Sequence, residues 1–454
     1  MTYDLIVIGG GPAGYIACER AGQGGLTTLL IEKEHIGGVC LNKGCIPTKT
    51  LLYSAKVMDS AAQGEKYGVT VRDIALDHPV VIKRKDKIVK KLTAAVRSAV
   101  NSAGCDILDA EGVIRGKSAA GYDVEAQGRV YTGRRLLIAT GSVPCIPAID
   151  GLGDGMKAGY VLTSTELLNI ENIPARLAVI GSGVVGMEMA SYFNSAGSDV
   201  TVIEMLPRIG GNIDDDIAGL LKQEYEKKGV RFITGAAVTG IKDGKVLYEQ
   251  GSKNNEIQAD RVLISAGRTP CTEGIGLENI GIAAECRGIE IDEHCLTSAT
   301  NVYAAGDVTG KCMLAHAAYR QAEAAVNHML GRSDAMQYNA IPSVIYTNPE
   351  VAVVGETAVS ARAKGMDVKE KTVSMNLSGR YMAENEGGRG IVKIVVDNRL
   401  GTLCGVHMIG NYASEIIVSA GICIEKMLTV DEIKRIVFPH PTVSEVIREA
   451  VFQV

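Results

Sequence analysis

Tryptophan is missing from the 454 residues, and phenylalanine occurs only four times. A core without large rings has to be built from aliphatic side chains. Hydrophobic residues still make up 46% of the chain, enough for about three domains of ~150 residues each. No apolar run reaches the ~18 residues that a membrane span requires. No basic stretch with a small-residue cleavage site opens the chain, so a cytoplasmic protein without a leader is expected. Excess positive charge is also missing: the net charge is −5, which argues against nucleic acid as a partner. The 11 cysteines are scattered and odd in number, unlike the paired framework of a small secreted domain.

Glycine, by contrast, is plentiful, with 53 residues. In "YDLIVIGGGPAGYIACERAGQGGLTTLLIEK" an apolar strand meets Gly9-x-Gly11-x-x-Gly14, then a helix, then a second strand ending at Glu32. This is a dinucleotide fingerprint in its proper context. Gly9 permits the turn, Gly11 lets a pyrophosphate approach the backbone, and Gly14 lets helix and strand pack closely. Phosphates would sit at the helix N-terminus, and Glu32 would accept from a ribose. The design recurs in "ARLAVIGSGVVGMEMASYFNSAGSDVTVIEM", with Gly181, Gly183, Gly186 and Glu204. In both copies the acid follows the first glycine by 23 residues. One such motif is weak, but two with equal spacing are strong. A second echo, "RRLLIATGSVP" and "DRVLISAGRTP", follows the two fingerprints.

The expected fold class is therefore α/β, with two Rossmann-like dinucleotide-binding domains and an α+β C-terminal domain. The first nucleotide domain is expected over 1–143 and, after an interruption at 144–268 by the second, again over 269–335. A strand is expected at Val302–Ala305, closing on Gly306-Asp307, with a helix from about Leu314. The segments "SVIYT", "VAVVG" and "GIVKIVVD" mark a third domain over 336–454.

Between the first fingerprint and a long helical stretch at about Thr48–Ala103 lies "GGVCLNKGCIPTK". Its Cys40 and Cys45, separated by four residues, could be a disulfide staple, half a metal site or a redox pair. A zinc site needs about four ligands, usually as two close pairs. The nearest second grouping, Cys404 and His407 in "LCGVHMIG", suits core packing better, so no metal is expected. A structural disulfide is improbable in the cytosol. A redox pair needs a thiolate, which the start of a helix at Ile46-Pro47 would favour. It also needs a base, and histidine has the right ordinary pKa.

The two fingerprints flanking "GGVCLNKGCIPTK", together with Thr140-Gly141-Ser142, Gly306-Asp307 with "MLAHAA", "IPSVIYTNPEVAVVG" and "HPTVSE", resemble the disulfide flavoprotein reductases of the class I pyridine nucleotide-disulfide oxidoreductase family. The resemblance spans nearly the whole chain and is strongest to the dihydrolipoamide dehydrogenase branch. It implies FAD on the first fingerprint, contacted by Gly9, Gly11, Pro12, Gly14, Glu32, Lys33, Gly38, Lys49, Gly112, Thr140, Gly141, Ser142, Asp307, Met313, Leu314, Ala315 and His316. It implies NAD on the second, held by Gly181, Gly183, Val184, Gly186, Glu188, Glu204, Val238 and Gly267. It further implies that Cys45 faces the flavin as the charge-transfer thiolate and Cys40 faces the substrate. Lys49 would pair with Glu188 beside the flavin. His440, supported by Glu445, would act as base in the partner subunit's site. A homodimer built by the third domain is implied. With no lipoyl domain ahead of Met1, the lipoyl group is expected on another protein, an acyltransferase or a glycine cleavage H-protein.

Rivals within the family lose on sequence. Mercuric reductases and large thioredoxin reductases need C-terminal redox residues, but this chain ends "REAVFQV". Glutathione reductases take NADP(H), whose 2′-phosphate Glu204 disfavours. A rival of another class is a flavin-bearing assembly subunit without turnover. Two departures from the family pattern are Lys43 between the cysteines and Phe438 where relatives often carry histidine.

Overall fold

The structure is a computed structural model and describes residues 2–284 and 287–454. Its contacts divide into two units. The first comprises Met1–Thr50, Ile82–Cys145 and Gly267–Gln337, and the second Leu51–Val81, Ile146–Ala266 and Tyr338–Val454.

At the centre of the first unit is a five-stranded parallel sheet in the order Val302–Ala304, Leu136–Ile138, Leu5–Ile8, Thr28–Glu32, Asp106–Asp109. Leu5, Ile6, Val7 and Ile8 are all buried, at 3% exposure or less. Four consecutive buried residues mean that both faces of the sheet are covered, as parallel strands require. Full burial of each such side chain stabilises by about 1.5–3 kcal/mol. Helix Pro12–Gln23 lies on this sheet and packs along helix Ala315–Met329. A four-stranded sheet runs from Thr2–Tyr3 through Arg129–Gly133 and Gly121–Ala126 to Val113–Ser118. The two echoed segments also meet: Ser142–Pro144 pairs antiparallel with Arg268–Pro270. The chain thus leaves the first unit beside the place where it returns.

The second unit repeats the parallel design in the order Val161–Leu162, Arg261–Ile264, Arg176–Ile180, Asp199–Glu204, Arg231–Thr234. It adds an antiparallel three-stranded sheet, Ala236–Lys242 to Lys253–Gln258. Its C-terminal part is an antiparallel five-stranded sheet in the order Ser343–Ile345, Glu350–Gly355, Leu403–Gly410, Ile391–Asp397, Val368–Ser374.

Three features differ from the sequence reading. The long helical stretch is two helices, Cys45–Ala62 and His78–Ser102. Leu51–Val81 groups with the second unit rather than with the remainder of 1–143, because Leu51, Leu52, Ala55 and Val81 are buried in one apolar cluster with Leu167, Met187 and Tyr192. The nucleotide domain at 144–268 and the domain at 336–454 share one contact unit while keeping separate sheets.

Candidate functional site

In the first fingerprint, Gly9 has φ +103°, and a Cβ there would stand 2.2 Å from the Ala139 carbonyl oxygen. A Cβ on Gly14 would stand 1.8 Å from the Gly9 carbonyl oxygen. Both positions therefore admit only glycine. Pro12 opens the helix, where its missing N–H costs nothing. No side chain caps this helix, and its first turn carries no acid. Among the described residues, nothing competes with a phosphate for its N–H groups. Glu32, at the end of its strand, is held by Gly10 N–H at 2.6 Å and Glu34 N–H at 2.7 Å. The second fingerprint has the same plan. Glu204 accepts from Ser182 N–H at 2.8 Å, Ser182 Oγ at 2.7 Å and Leu206 N–H at 2.8 Å. Each carboxylate has lone pairs left for ribose hydroxyls.

Gly183 is the informative glycine. A Cβ there would meet nothing within 4 Å, and its backbone is ordinary, with φ −67°. The protein does not need glycine at this position, but a pyrophosphate lying on the backbone does. The residues present therefore fit a dinucleotide at each fingerprint.

The cysteine segment is a pair of helices, Gly38–Lys43 and Cys45–Ala62, where the sequence reading expected only the second. Cys40 sits in the first, and Cys45 is the first residue of the second. The helix N-terminus favours a thiolate on Cys45. The two side chains are hydrogen-bonded, and that bond is the largest cause raising the Cys40 thiol well above its ordinary pKa. Burial and the Cys45 charge add to it, while Lys49 opposes it. Cys40 is therefore the protonated member of the pair. Lys43 is accounted for by its ion pair with Glu34, whose carboxyl is held below its usual range first by that hydrogen bond.

Around the expected flavin positions, Ser142 Oγ donates to Asp307 Oδ2 at 2.5 Å. Arg268 binds Ser142 twice, Nε to Oγ at 2.7 Å and Nη2 to the carbonyl oxygen at 2.6 Å. Thr140 Oγ1 donates to the Cys271 carbonyl oxygen at 2.6 Å, and Gly141 takes φ +74°. Lys33 lies 3.9 Å from Glu111, and Gly112 packs on Ile31. Met313 and Leu314 precede helix Ala315–Met329, which Ala315 and His316 open. Sequence reasoning missed Arg268, which it had met only in the echoed "AGRTP". It also missed Tyr15 and Tyr319, whose hydroxyls lie 2.7 Å apart. Burial is the first cause that raises the pKa of both phenols. No motif signals such a pair, because 304 positions separate its members.

In the second unit, Val184 opens helix Val184–Ser195, and Glu188 on that helix is buried, with Oε1 accepting Tyr346 N–H at 3.0 Å. Val238 lies in strand Ala236–Lys242. Gly267 falls in the first unit, where its carbonyl accepts Cys145 N–H. Lys49 belongs to the first unit and Glu188 to the second.

His440 Nδ1 lies 2.9 Å from Glu445 Oε1, and the other carboxylate oxygen accepts Thr442 N–H at 2.9 Å. These bonds hold the Glu445 carboxyl below its usual range, the backbone bond contributing most. The imidazole is 78% exposed, so a fixed carboxylate orients a ring that points to solvent in the single chain. Phe438 packs against the C-terminal core. His407 is buried, its Nε2 2.9 Å from the Glu356 carbonyl oxygen, as a packing role requires. No helix among the described residues is long and apolar enough to cross a membrane.

Comparison with known proteins gives these groupings a family. Residues 3–322 match the pyridine nucleotide-disulphide oxidoreductase model, and residues 341–451 match the dimerisation domain of that family. The dihydrolipoyl dehydrogenase of Mycoplasma pneumoniae is 37% identical over 455 residues, covering 99% of this chain and 98% of its own. Among solved structures, LpdA from Mycobacterium tuberculosis superposes with a TM-score of 0.89 at 26% identity, covering 99% of each chain. The Cu(II) complex of RclA from Escherichia coli, an HOCl-induced flavoprotein disulfide reductase, superposes with a TM-score of 0.87 at 26% identity, covering 99% of this chain and all of that one. Enzymes of this kind use FAD and NAD, the two cofactors that the resemblance implied for the paired fingerprints. The chain is a flavoprotein disulfide oxidoreductase and belongs to the pyridine nucleotide-disulphide oxidoreductase family.

Proposed function

We propose that this chain oxidises protein-bound dihydrolipoamide to lipoamide with NAD⁺ as acceptor, releasing NADH and a proton. The observation that carries the reading is the pairing of two things on one chain: the asymmetric Cys40–Cys45 dithiol, and an imidazole already oriented by Glu445. An assembly subunit without turnover would need neither.

In the oxidised enzyme, Cys40 and Cys45 form a disulfide. A lipoyl thiolate attacks Cys40 Sγ, and Cys45 leaves as a thiolate beside its helix N-terminus. His440 takes the proton of the second lipoyl thiol, which then displaces Cys40 and closes the lipoyl disulfide. Bound FAD would supply the two-electron chemistry that links the dithiol to NAD⁺. Gly9, Gly11, Gly14, Glu32, Ser142 and Asp307 would hold FAD, with Lys49 beside it. Gly181, Gly183, Gly186 and Glu204 would hold NAD. The exposed His440 suits a base that serves the cysteines of a second copy, so the working enzyme is a homodimer joined through residues 341–451. Its lipoyl group arrives on a separate carrier protein, and the enzyme works in the cytoplasm.

The test is NADH formation from free dihydrolipoamide and NAD⁺. If the FAD-loaded protein forms none, yet passes electrons from NADH to an artificial acceptor, the substrate reading is wrong. Mixing Cys45→Ser and His440→Gln subunits tests the shared site. Verified heterodimers should regain one of two sites, and no regain would reject the dimer mechanism.

A further inference from the structure

A second pair of cysteines lies in contact, away from the redox segment. Cys18, on helix Pro12–Gln23, is fully buried, and Cys105, just before strand Asp106–Asp109, is 4% exposed. Cys105 Sγ donates to the Cys18 carbonyl oxygen at 2.9 Å. The two thiols are also hydrogen-bonded to each other. The backbones approach just as closely. A Cβ on Gly22, one turn beyond Cys18, would stand 2.1 Å from the Ala103 carbonyl oxygen.

We propose that Cys18 and Cys105 form a second dithiol site, which closes to a disulfide when a small peroxide reaches it. The roles are unequal. The hydrogen bond from Cys18 first favours the Cys105 thiolate, and Thr28 and the Gly22 backbone add to it against the opposing effect of burial, while burial holds Cys18 protonated. Cys105 gives up the proton it donates to the Cys18 carbonyl, and its thiolate attacks one oxygen of hydrogen peroxide. The O–O bond breaks, and the departing hydroxide takes a proton to become water. Cys105 is left as a sulfenic acid. Cys18 then gives up its proton and attacks the Cys105 sulfur, the S–O bond breaks, and a second water leaves. Two thiols lose two electrons and one peroxide gains them, so neither the flavin nor the Cys40–Cys45 pair is needed.

The disulfide would tie the phosphate-binding helix to the edge strand of the first parallel sheet, closing a long loop. In a reducing compartment it would be transient, the usual state of a cytosolic disulfide outside catalysis. It would make flavin retention depend on oxidative load.

The experiment treats FAD-loaded protein with hydrogen peroxide, blocks free thiols by alkylation and digests without reduction. Mass spectrometry should find a peptide pair joined through Cys18 and Cys105. The pair should be split by dithiothreitol and be missing from Cys105→Ser. Thermal release of flavin should shift upward by roughly 2–4 °C in oxidised wild type and not in Cys105→Ser. The proposal is overturned if both residues are recovered as alkylated thiols in a sample whose Cys40–Cys45 pair is fully oxidised. Sulfinic or sulfonic acid on either residue without the cross-link overturns it equally.

Discussion

The two fingerprints share a backbone plan and differ in what lies over them. Gly9 and Gly181 both take positive φ and both press on a carbonyl of the neighbouring strand's end. Gly11 and Gly183 part company. A Cβ on Gly38 would stand 2.7 Å from Gly11 Cα, so the cysteine segment crosses the first phosphate turn, whereas Gly183 faces open space. The same motif therefore serves two ends. In the first unit it is enclosed by the chain that carries the thiols, which suits a cofactor that stays. In the second it stays open, which suits one that comes and goes. On the proposed placing of FAD at the first turn and NAD at the second, the two sites differ in the covering segment rather than in the motif.

The largest effects should come from the glycines buried in both copies. Gly14→Ala drives a methyl into the Gly9 carbonyl, and Gly186→Ala would stand 2.1 Å from the Gly181 carbonyl. Each overlap costs on the order of 1–3 kcal/mol or more. Gly14→Ala should yield colourless protein. Gly186→Ala should stay yellow but lose NADH-driven reduction of an artificial acceptor, read from the visible spectrum and turnover together. A yellow Gly14→Ala protein would break the comparison.

Next in size is His440→Gln. It should lower dihydrolipoamide oxidation by at least ~10²-fold, the scale of a lost general base, and spare NADH-driven reduction of artificial acceptors. Glu445→Gln should cost less, since it only orients the ring. Equal loss in both assays would mean that the dyad supports the fold rather than the thiol half-reaction.

Glu204→Ala sharpens the visiting side. A carboxylate there accepts ribose hydroxyls and repels a 2′-phosphate, so wild type should prefer NAD⁺ over NADP⁺ by about 10²-fold in kcat/KM. The variant should lose most of that preference while keeping its flavin. An unchanged ratio would remove Glu204 from the specificity account.

Gly183→Ala is a smaller, cleaner probe. With no neighbour to strike, the methyl should change stability by no more than about 0.5 kcal/mol. It should still raise KM for NAD⁺ several-fold. A normal KM would show that no backbone approach occurs there.

The smallest effect concerns pH. The folded-state pKa of Glu445 lies below its unfolded value, so its stabilising contribution is present above the unfolded value, near 4.5, and fades as pH falls through the folded one. The Tm difference between wild type and Glu445→Gln should therefore be small at neutral pH and vanish under acid. A difference that grew on acidification would contradict the assigned hydrogen bonds.

The two fingerprints could be read from the chain because each is a local device, whereas the roles of Cys40, Cys45, His440 and Glu445 came from the resemblance to a family. Each fingerprint spans about two dozen positions, and backbone sterics make glycine obligatory at fixed offsets within it. That locality carried both parallel sheets, the strand at Val302–Ala304 and the C-terminal strands. It failed at Cys40, which lies in a second short helix, since nothing in "GVCLNK" has helical periodicity over so few residues.

What only the tertiary structure decided lies far apart in sequence. Leu51–Val81 joins the second unit because its apolar residues are buried there. Arg268 reaches Ser142 and Asp307 because two distant strands pair. Tyr15 meets Tyr319, and Cys18 meets Cys105, because two helices and a sheet edge are brought together. A glycine turn leaves its mark in the sequence because the backbone itself forbids other residues. A contact between distant side chains is fixed only by the packing of everything between them.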